Sequence, residues 1–94
     1  MHYVYVLLSA KDHRWYTGIT GDLRARLREH LNGRVWSTRH RRPLRLIYYE
    51  ASLSDADAKR RERYLKTGRG KGYLRRRLAS WLAASTATQL ERHY

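Results

Sequence analysis

The sequence predicts an α+β fold: a small three-stranded sheet, opened by an N-terminal hairpin and covered by about three helices. Three observations carry that prediction. Two short runs dense in tyrosine and valine, Tyr3-Val4-Tyr5-Val6-Leu7-Leu8 and Trp15-Tyr16-Thr17-Gly18, stand close together near the N-terminus. A third alternating run extends from Leu44 to Glu50. Elsewhere leucines recur at helical spacing, at Leu23, Leu27 and Leu31 and again at Leu74, Leu78 and Leu82, which marks buried helix stripes. Ninety-four residues make one domain, expected over residues 1–84, with 85–94 as a tail or helix extension.

The first two runs read as strands because aromatic and β-branched residues fit a pleated, half-buried surface. The polar Lys11-Asp12-His13 between them is short enough for a hairpin. Alternation puts Tyr5 with Tyr3 and Leu7 on one face and Val4, Val6 and Leu8 on the other. Tyr16 shares a face with Arg14 and Gly18. If the register aligns the two tyrosine faces, two phenol hydroxyls converge and Gly18 leaves room beside them. Amphipathic core tyrosines give the same pattern, so the pair alone decides nothing. In the helix that follows, Thr20 or Asp22 can act as N-cap and Gly33 lies just past the end. His30 falls on its leucine stripe and Arg26 at the edge of that stripe. An arginine and a histidine leaning toward two tyrosines make a phosphate site chemically reasonable, since a guanidinium meets phosphate in a fixed fork. An edge arginine that snorkels to water has the same spacing.

Together, Tyr3-Val4-Tyr5, Tyr16-Thr17-Gly18, Arg26 and His30 resemble the GIY-YIG nuclease pattern in its small stand-alone bacterial form, similar to the GIY-YIG domain of the excision-repair nuclease subunit. The resemblance covers roughly Met1 to Leu78. Tyr3 replaces the first glycine of the name motif and Thr17 its second isoleucine. Ile19 stands where the excision-repair relatives carry a lysine, so any role of that lysine is missing here.

A formal charge of +13, from 21 basic and 8 acidic residues, exceeds what solubility needs and points to a polyanion such as nucleic acid. The charge is spread through both halves. No helix pairs a long apolar face with a lysine-rich one, and arginine outnumbers lysine, which suits phosphate better than a membrane surface. The absence of cysteine excludes disulfides, thiolate metal sites and thiol nucleophiles. The apolar run from Tyr3 to Leu8 is too short for a signal peptide or membrane span, so a cytoplasmic location is expected.

Gly33 to Pro43 reads as a long loop in which Arg34, Arg39, Arg41 and Arg42 surround Trp36. That composition grips a backbone while stacking on a base; a packed tryptophan among solvated arginines is the other reading. In the third strand Leu44, Leu46 and Tyr48 alternate against Arg45, Ile47 and Tyr49. Ser54 and Asp57 have capping-box spacing and announce a second helix, on which Ala58 and Leu65 mark the inward face and Glu62 falls between them. A carboxylate aimed at a core is costly unless paired or bound to a cation. Spacing alone favours an ion pair with an arginine such as Arg26. The run Thr67-Gly68-Arg69-Gly70-Lys71-Gly72 fails as a phosphate loop because Lys71 is followed by glycine. Its glycines are expected to break one helix from the next, with Arg69 and Lys71 adding phosphate contacts.

The resemblance reverses the order for Glu62, which matches the position of the one protein ligand to a divalent ion, magnesium or manganese. It implies metal-dependent hydrolysis of a nucleic-acid phosphodiester, DNA before RNA, in repair or recombination. Arg26 would neutralise the phosphoryl group, Tyr5 would orient or deprotonate water, Tyr16 would position the phosphate, and His30 would orient a tyrosine or relay a proton. A catalytic domain without a targeting domain implies help from a protein partner or a homodimer. Two other classes stay open: a non-enzymatic nucleic-acid-binding module, and a basic accessory protein that docks an acidic partner.

Overall fold

The computed structural model describes residues 1–92, with side chains as far as Ser85. The elements run β1 (His2–Ser9), β2 (Trp15–Thr20), α1 (Leu23–Leu31), a 3₁₀ turn (Arg39–Arg41), β3 (Leu44–Ser52), α2 (Asp55–Leu65), α3 (Gly68–Arg77) and α4 (Ala79–Arg92). The sheet is antiparallel in the order β2-β1-β3. Two compact units result, residues 1–63 and 64–94.

In the first unit β1 is the central strand, and Val4, Tyr5, Val6 and Leu7 are each at most 1% exposed. Residues directly opposite in a ladder share a face. Tyr5 faces Gly18 on β2 and Tyr49 on β3, so these three lie together, and Leu7 is opposite Tyr16 on the same face. Here Tyr5, Leu7 and Leu44 form a core against which Tyr16, Leu23, Leu27 and Leu46 pack. Leu23 and Leu27 of the α1 stripe therefore face the core as their spacing predicts, whereas Leu31, in the last position of the helix, is 55% exposed and lies outside it. Asp22 caps that helix, its Oδ1 accepting from the Ala25 amide at 3.1 Å, while Thr20 Oγ1 accepts from the Asp22 amide at 3.1 Å. On the opposite face Glu50 lies across from Val4 and is paired with Arg61 of α2 at 2.7 Å, which brings α2 over the valines.

Strict alternation along β3 does not hold. The register shifts between Val6, opposite Tyr48, and Leu7, opposite Leu46, so Ile47 is an extra residue. A bulge of this kind exchanges the faces of everything beyond it. Tyr49 therefore joins Leu44 and Leu46 on the Tyr5 face, while Tyr48 goes to the other.

The second unit corrects the reading of the glycine run. Gly68, Gly70 and Gly72 lie inside α3 rather than between helices. Thr67 caps the helix, accepting from the Gly70 amide at 3.1 Å. Gly70 is buried so closely against the Tyr64 carbonyl and the Leu65 Cα that no Cβ fits, so a packing contact sets its identity. The expected third helix is divided at Leu78, which ends α3 before α4 begins, making four helices rather than three. Residues 85–92 continue α4, and His93 and Tyr94 of the expected tail lie outside the described residues. No helix among the described residues is long and apolar enough to cross a membrane.

Candidate active site

Four side chains from three elements meet on the α1 face of the sheet. The Tyr5 ring on β1 leans over Gly18 on β2, where a Cβ would come within 2.5 Å of the Tyr5 Cζ. Leaning there, the Tyr5 hydroxyl reaches His30 Nε2 at 2.7 Å. The His30 and Tyr5 rings meet edge-on at 5.5 Å, Tyr16 approaches His30 at 5.2 Å, and the two tyrosine centroids are 6.4 Å apart. Arg26, one turn before His30, is held by Glu29 at 3.1 Å and stands near enough to Tyr5 for its charge to act on the hydroxyl.

The other ring nitrogen of His30 finds a partner that the sequence did not announce. Its Nδ1 lies 2.7 Å from Thr38 Oγ1. Tyr5, His30 and Thr38 are sealed, at 1%, 0% and 0% exposure, whereas Tyr16, Arg26 and Glu29 are half-buried and form the side toward solvent. Thr38 belongs to the loop between α1 and β3, which is fastened to the hairpin turn. Ser9 Oγ donates to the Arg41 carbonyl at 2.6 Å, and Arg41 pairs with Asp12 at 2.8 Å. A buried β-branched hydroxyl inside an arginine-rich stretch is the only signal for Thr38, and without the fold nothing distinguishes it from a solvated loop residue.

Electrostatics fixes the protons. Burial pushes the Tyr5 pKa up, and the donor from Arg26 opposes that rise without reversing it, so the phenol stays protonated at neutral pH. Arg26 is held still more firmly in its charged form by its bond to Tyr5. Burial, and secondarily the Arg26 charge, pull His30 down to about 4, so the ring is neutral at physiological pH. A neutral imidazole has one donor and one acceptor. One ring nitrogen of His30 therefore bonds the Tyr5 hydroxyl and the other the Thr38 hydroxyl, so a buried line runs from Tyr5 through His30 to Thr38, with Arg26 beside its outer end.

A family model described as the GIY-YIG catalytic domain matches residues 1–76. The chain belongs to the GIY-YIG family. It is 42% identical over 67 residues to the UPF0213 protein CPE1444 of Clostridium perfringens, covering 70% of this chain and 71% of that one. It is equally 42% identical over 67 residues to the UPF0213 protein SH2523 of Staphylococcus haemolyticus, covering 70% and 80%. The solution structure of the UPF0213 protein BH0048 from Bacillus halodurans is 41% identical, with a TM-score of 0.49 over 78% of this chain and 80% of that one.

In this GIY-YIG chain Tyr5, Tyr16, Arg26 and His30 come together, and Glu62 is not part of that hydrogen-bonded set. It sits half-buried on α2 between the fully buried Ala58 and Leu65, with an interaction partner of its own. Arg26 pairs with Glu29. Arg61, beside Glu62 on α2, pairs with Glu50, which also accepts from the Tyr48 hydroxyl at 2.6 Å. Among the described residues no group of three or more histidines and acids clusters as a ready-made metal cage.

The loop arginines divide. Arg34, Arg39 and Arg42 are exposed, while Arg41 is half-buried and committed to Asp12, whose carboxyl Arg41 holds down to about 2. Trp36 is 78% exposed and does not pack onto the domain. In the second unit Arg69 and Lys71 are exposed near the start of α3.

Proposed function

We propose that this protein is a divalent-cation-dependent endonuclease that hydrolyses DNA phosphodiester bonds. The observation that supports it most is the hydroxyl of Tyr5, bonded to a neutral His30 with the Arg26 charge beside it. A buried phenol of raised pKa is a poor standing base. Paired with Nε2 it has a route: Tyr5 orients the attacking water and takes its proton as its own passes to His30. Arg26, half-exposed beside Tyr16, meets the negative charge that grows on the phosphoryl oxygens. Tyr16 positions the phosphate from the solvent side of the same cluster.

Glu62 is the carboxylate that would hold the cation. A single half-buried oxygen ligand fits magnesium or manganese, which keep water and substrate phosphate as the rest of their shell. When bound, the ion supplies further neutralisation of the phosphate. The formal charge of +13 supports a polyanionic substrate.

Purified protein incubated with plasmid, branched DNA and RNA, with magnesium, manganese or chelator, tests this reading. DNA is expected to be cut with metal alone. Glu62→Gln is expected to remain folded, bind DNA and cut nothing. DNA binding without cleavage by either metal would make the protein a binding module instead. A Glu62→Gln variant that melts early yet nicks normally would remove the carboxylate from the site.

A further inference from the structure

A cavity of about 510 Å³ opens at the C-terminal end of α1, away from the Tyr5 hydroxyl's own partners. Its walls are Lys11 from the hairpin turn, Leu31 from the helix end, Arg39 and His40 from the 3₁₀ turn, and Arg42 and Pro43 leading into β3. The volume lies in the range of small-ligand pockets, roughly 300–1,000 Å³. None of the lining side chains is acidic. The nearest acid in sequence, Asp12, is taken by Arg41, and Glu29 is taken by Arg26. Among the described residues Lys11, Arg39 and Arg42 make no ion pair, so three fixed positive charges face one space unanswered.

One of these charges is set in place by the backbone. Gly33 has φ +74°, and the Arg42 guanidinium lies against it so closely that a Cβ there would come within 2.6 Å of Cζ. Arg42 Nε donates to the Arg39 carbonyl at 3.1 Å, which steadies the plane of the group and couples it to the next cation. A guanidinium fixed this way loses less freedom on meeting phosphate. The cavity is not all charge. Leu31 is 55% exposed and Pro43 lies beside it, giving an apolar floor that a bare phosphate would not need. Trp36, 78% exposed and three residues before Arg39, offers a stacking face on the same loop.

We propose that this cavity is a subsite for one phosphorylated nucleotide of the bound strand. The phosphate lies on Lys11, Arg39 and Arg42, and the sugar and base lie over Leu31 and Pro43. The inference rests on the nucleic-acid substrate proposed above and adds a second point of grip apart from the Tyr5 cluster. Intact duplex presents its phosphates outward with its bases stacked inside, so the apolar floor calls for a nucleotide that has left the stack.

The test is made with chelator present, so it does not depend on cleavage. A deoxynucleoside 5′-monophosphate, the matching nucleoside and inorganic phosphate are titrated separately while backbone amide resonances are followed. The monophosphate is expected to shift Lys11, Leu31, Arg39 and Arg42 at lower concentration than either fragment. Single-stranded oligonucleotide binding is then measured against salt. Lys11→Gln/Arg39→Gln is expected to flatten the salt slope by about 0.7, the share of the one phosphate they hold. Arg76→Gln/Arg77→Gln on α3, with the same reduction of charge, is expected to change it less. Equal changes in the two double variants, or equal binding of monophosphate and phosphate, would overturn the subsite. Monophosphate binding with an unchanged oligonucleotide slope would also overturn it, and would make the cavity a site for free nucleotide. A protein that passes these measurements yet never cuts leaves the subsite standing and removes the nuclease reading alone.

Discussion

The loop between α1 and β3 contains both fully buried and exposed polar chemistry, within a few residues. Thr38 is fully buried and bonded to His30, while Arg39, its neighbour, is exposed and unpaired. Around Thr38 every described buried side-chain donor and acceptor has a partner. Beside Arg39, Arg42 and Lys11 likewise make no ion pair among the described residues. The difference teaches how so short a chain separates two tasks. Buried hydrogen bonds fix where protons sit, and exposed arginines meet a phosphate backbone whose position varies. Fastenings through Ser9, Asp12 and Arg41, and from the Ala10 amide to the Pro43 carbonyl, hold the two in register.

The comparison is sharpened most by pH. In the folded protein His30 titrates near 4, below its ordinary value of 6.5, so folding favours the neutral ring. Its contribution is complete above pH 6.5 and is lost as pH falls through 4. The difference corresponds to roughly 3 kcal/mol. Denaturant unfolding between pH 7 and 4 is expected to show that loss. His30→Asn, which cannot titrate, is expected to be less stable at pH 7 and flatter across the same interval. Equal slopes in the two proteins would show that the ring is not held neutral.

A smaller effect tests Thr38. Thr38→Val keeps the shape but removes the hydroxyl bonded to Nδ1, at a cost of about 1–3 kcal/mol. Without that partner the tautomer and orientation of the ring toward Tyr5 are no longer held, so cleavage is expected to fall with unchanged DNA affinity. Thr38→Ser is expected to restore both. Nitrogen shifts of His30 report the tautomer directly, and a valine variant with the parental tautomer and rate would reduce Thr38 to a packing residue.

The smallest effect lies on the exposed side. Arg39→Gln is expected to reduce the salt dependence of duplex binding by about 0.9, the share of one phosphate left without its arginine. Arg41→Gln is expected to change it less, because Asp12 already answers that charge, and instead to speed amide exchange across Ser9 to Asp12. Equal slopes for the two variants would erase the distinction between them.

Much of this was legible in the sequence because its causes are local. The tyrosine faces follow from period-two alternation, the α1 stripe from its leucines, and the cap from Asp22. Ser54 likewise accepts from the Asp57 amide at 3.3 Å, as its spacing foretells. What escaped depends on distant partners. The bulge at Ile47 has no glycine or proline to mark it and arises from pairing with Val6 and Leu7. Gly70 reads as a helix breaker until the Tyr64 carbonyl is seen against it. Thr38 stands eight positions beyond His30, and the division between Arg41 and Arg39 depends on Asp12, 29 positions away from Arg41. In each case the deciding contact is one that sequence spacing does not encode.

The most direct measurement of the central claim is plasmid nicking by Tyr5→Phe beside the parent protein in magnesium or manganese. The substitution keeps the ring over Gly18 and removes only the hydroxyl bonded to His30. Amide spectra and DNA affinity, taken on the same samples, establish that fold and binding persist. The account predicts that the parent nicks and that the variant is slower by about 10²–10⁴. A folded, DNA-binding Tyr5→Phe protein that nicks at the parental rate would contradict it.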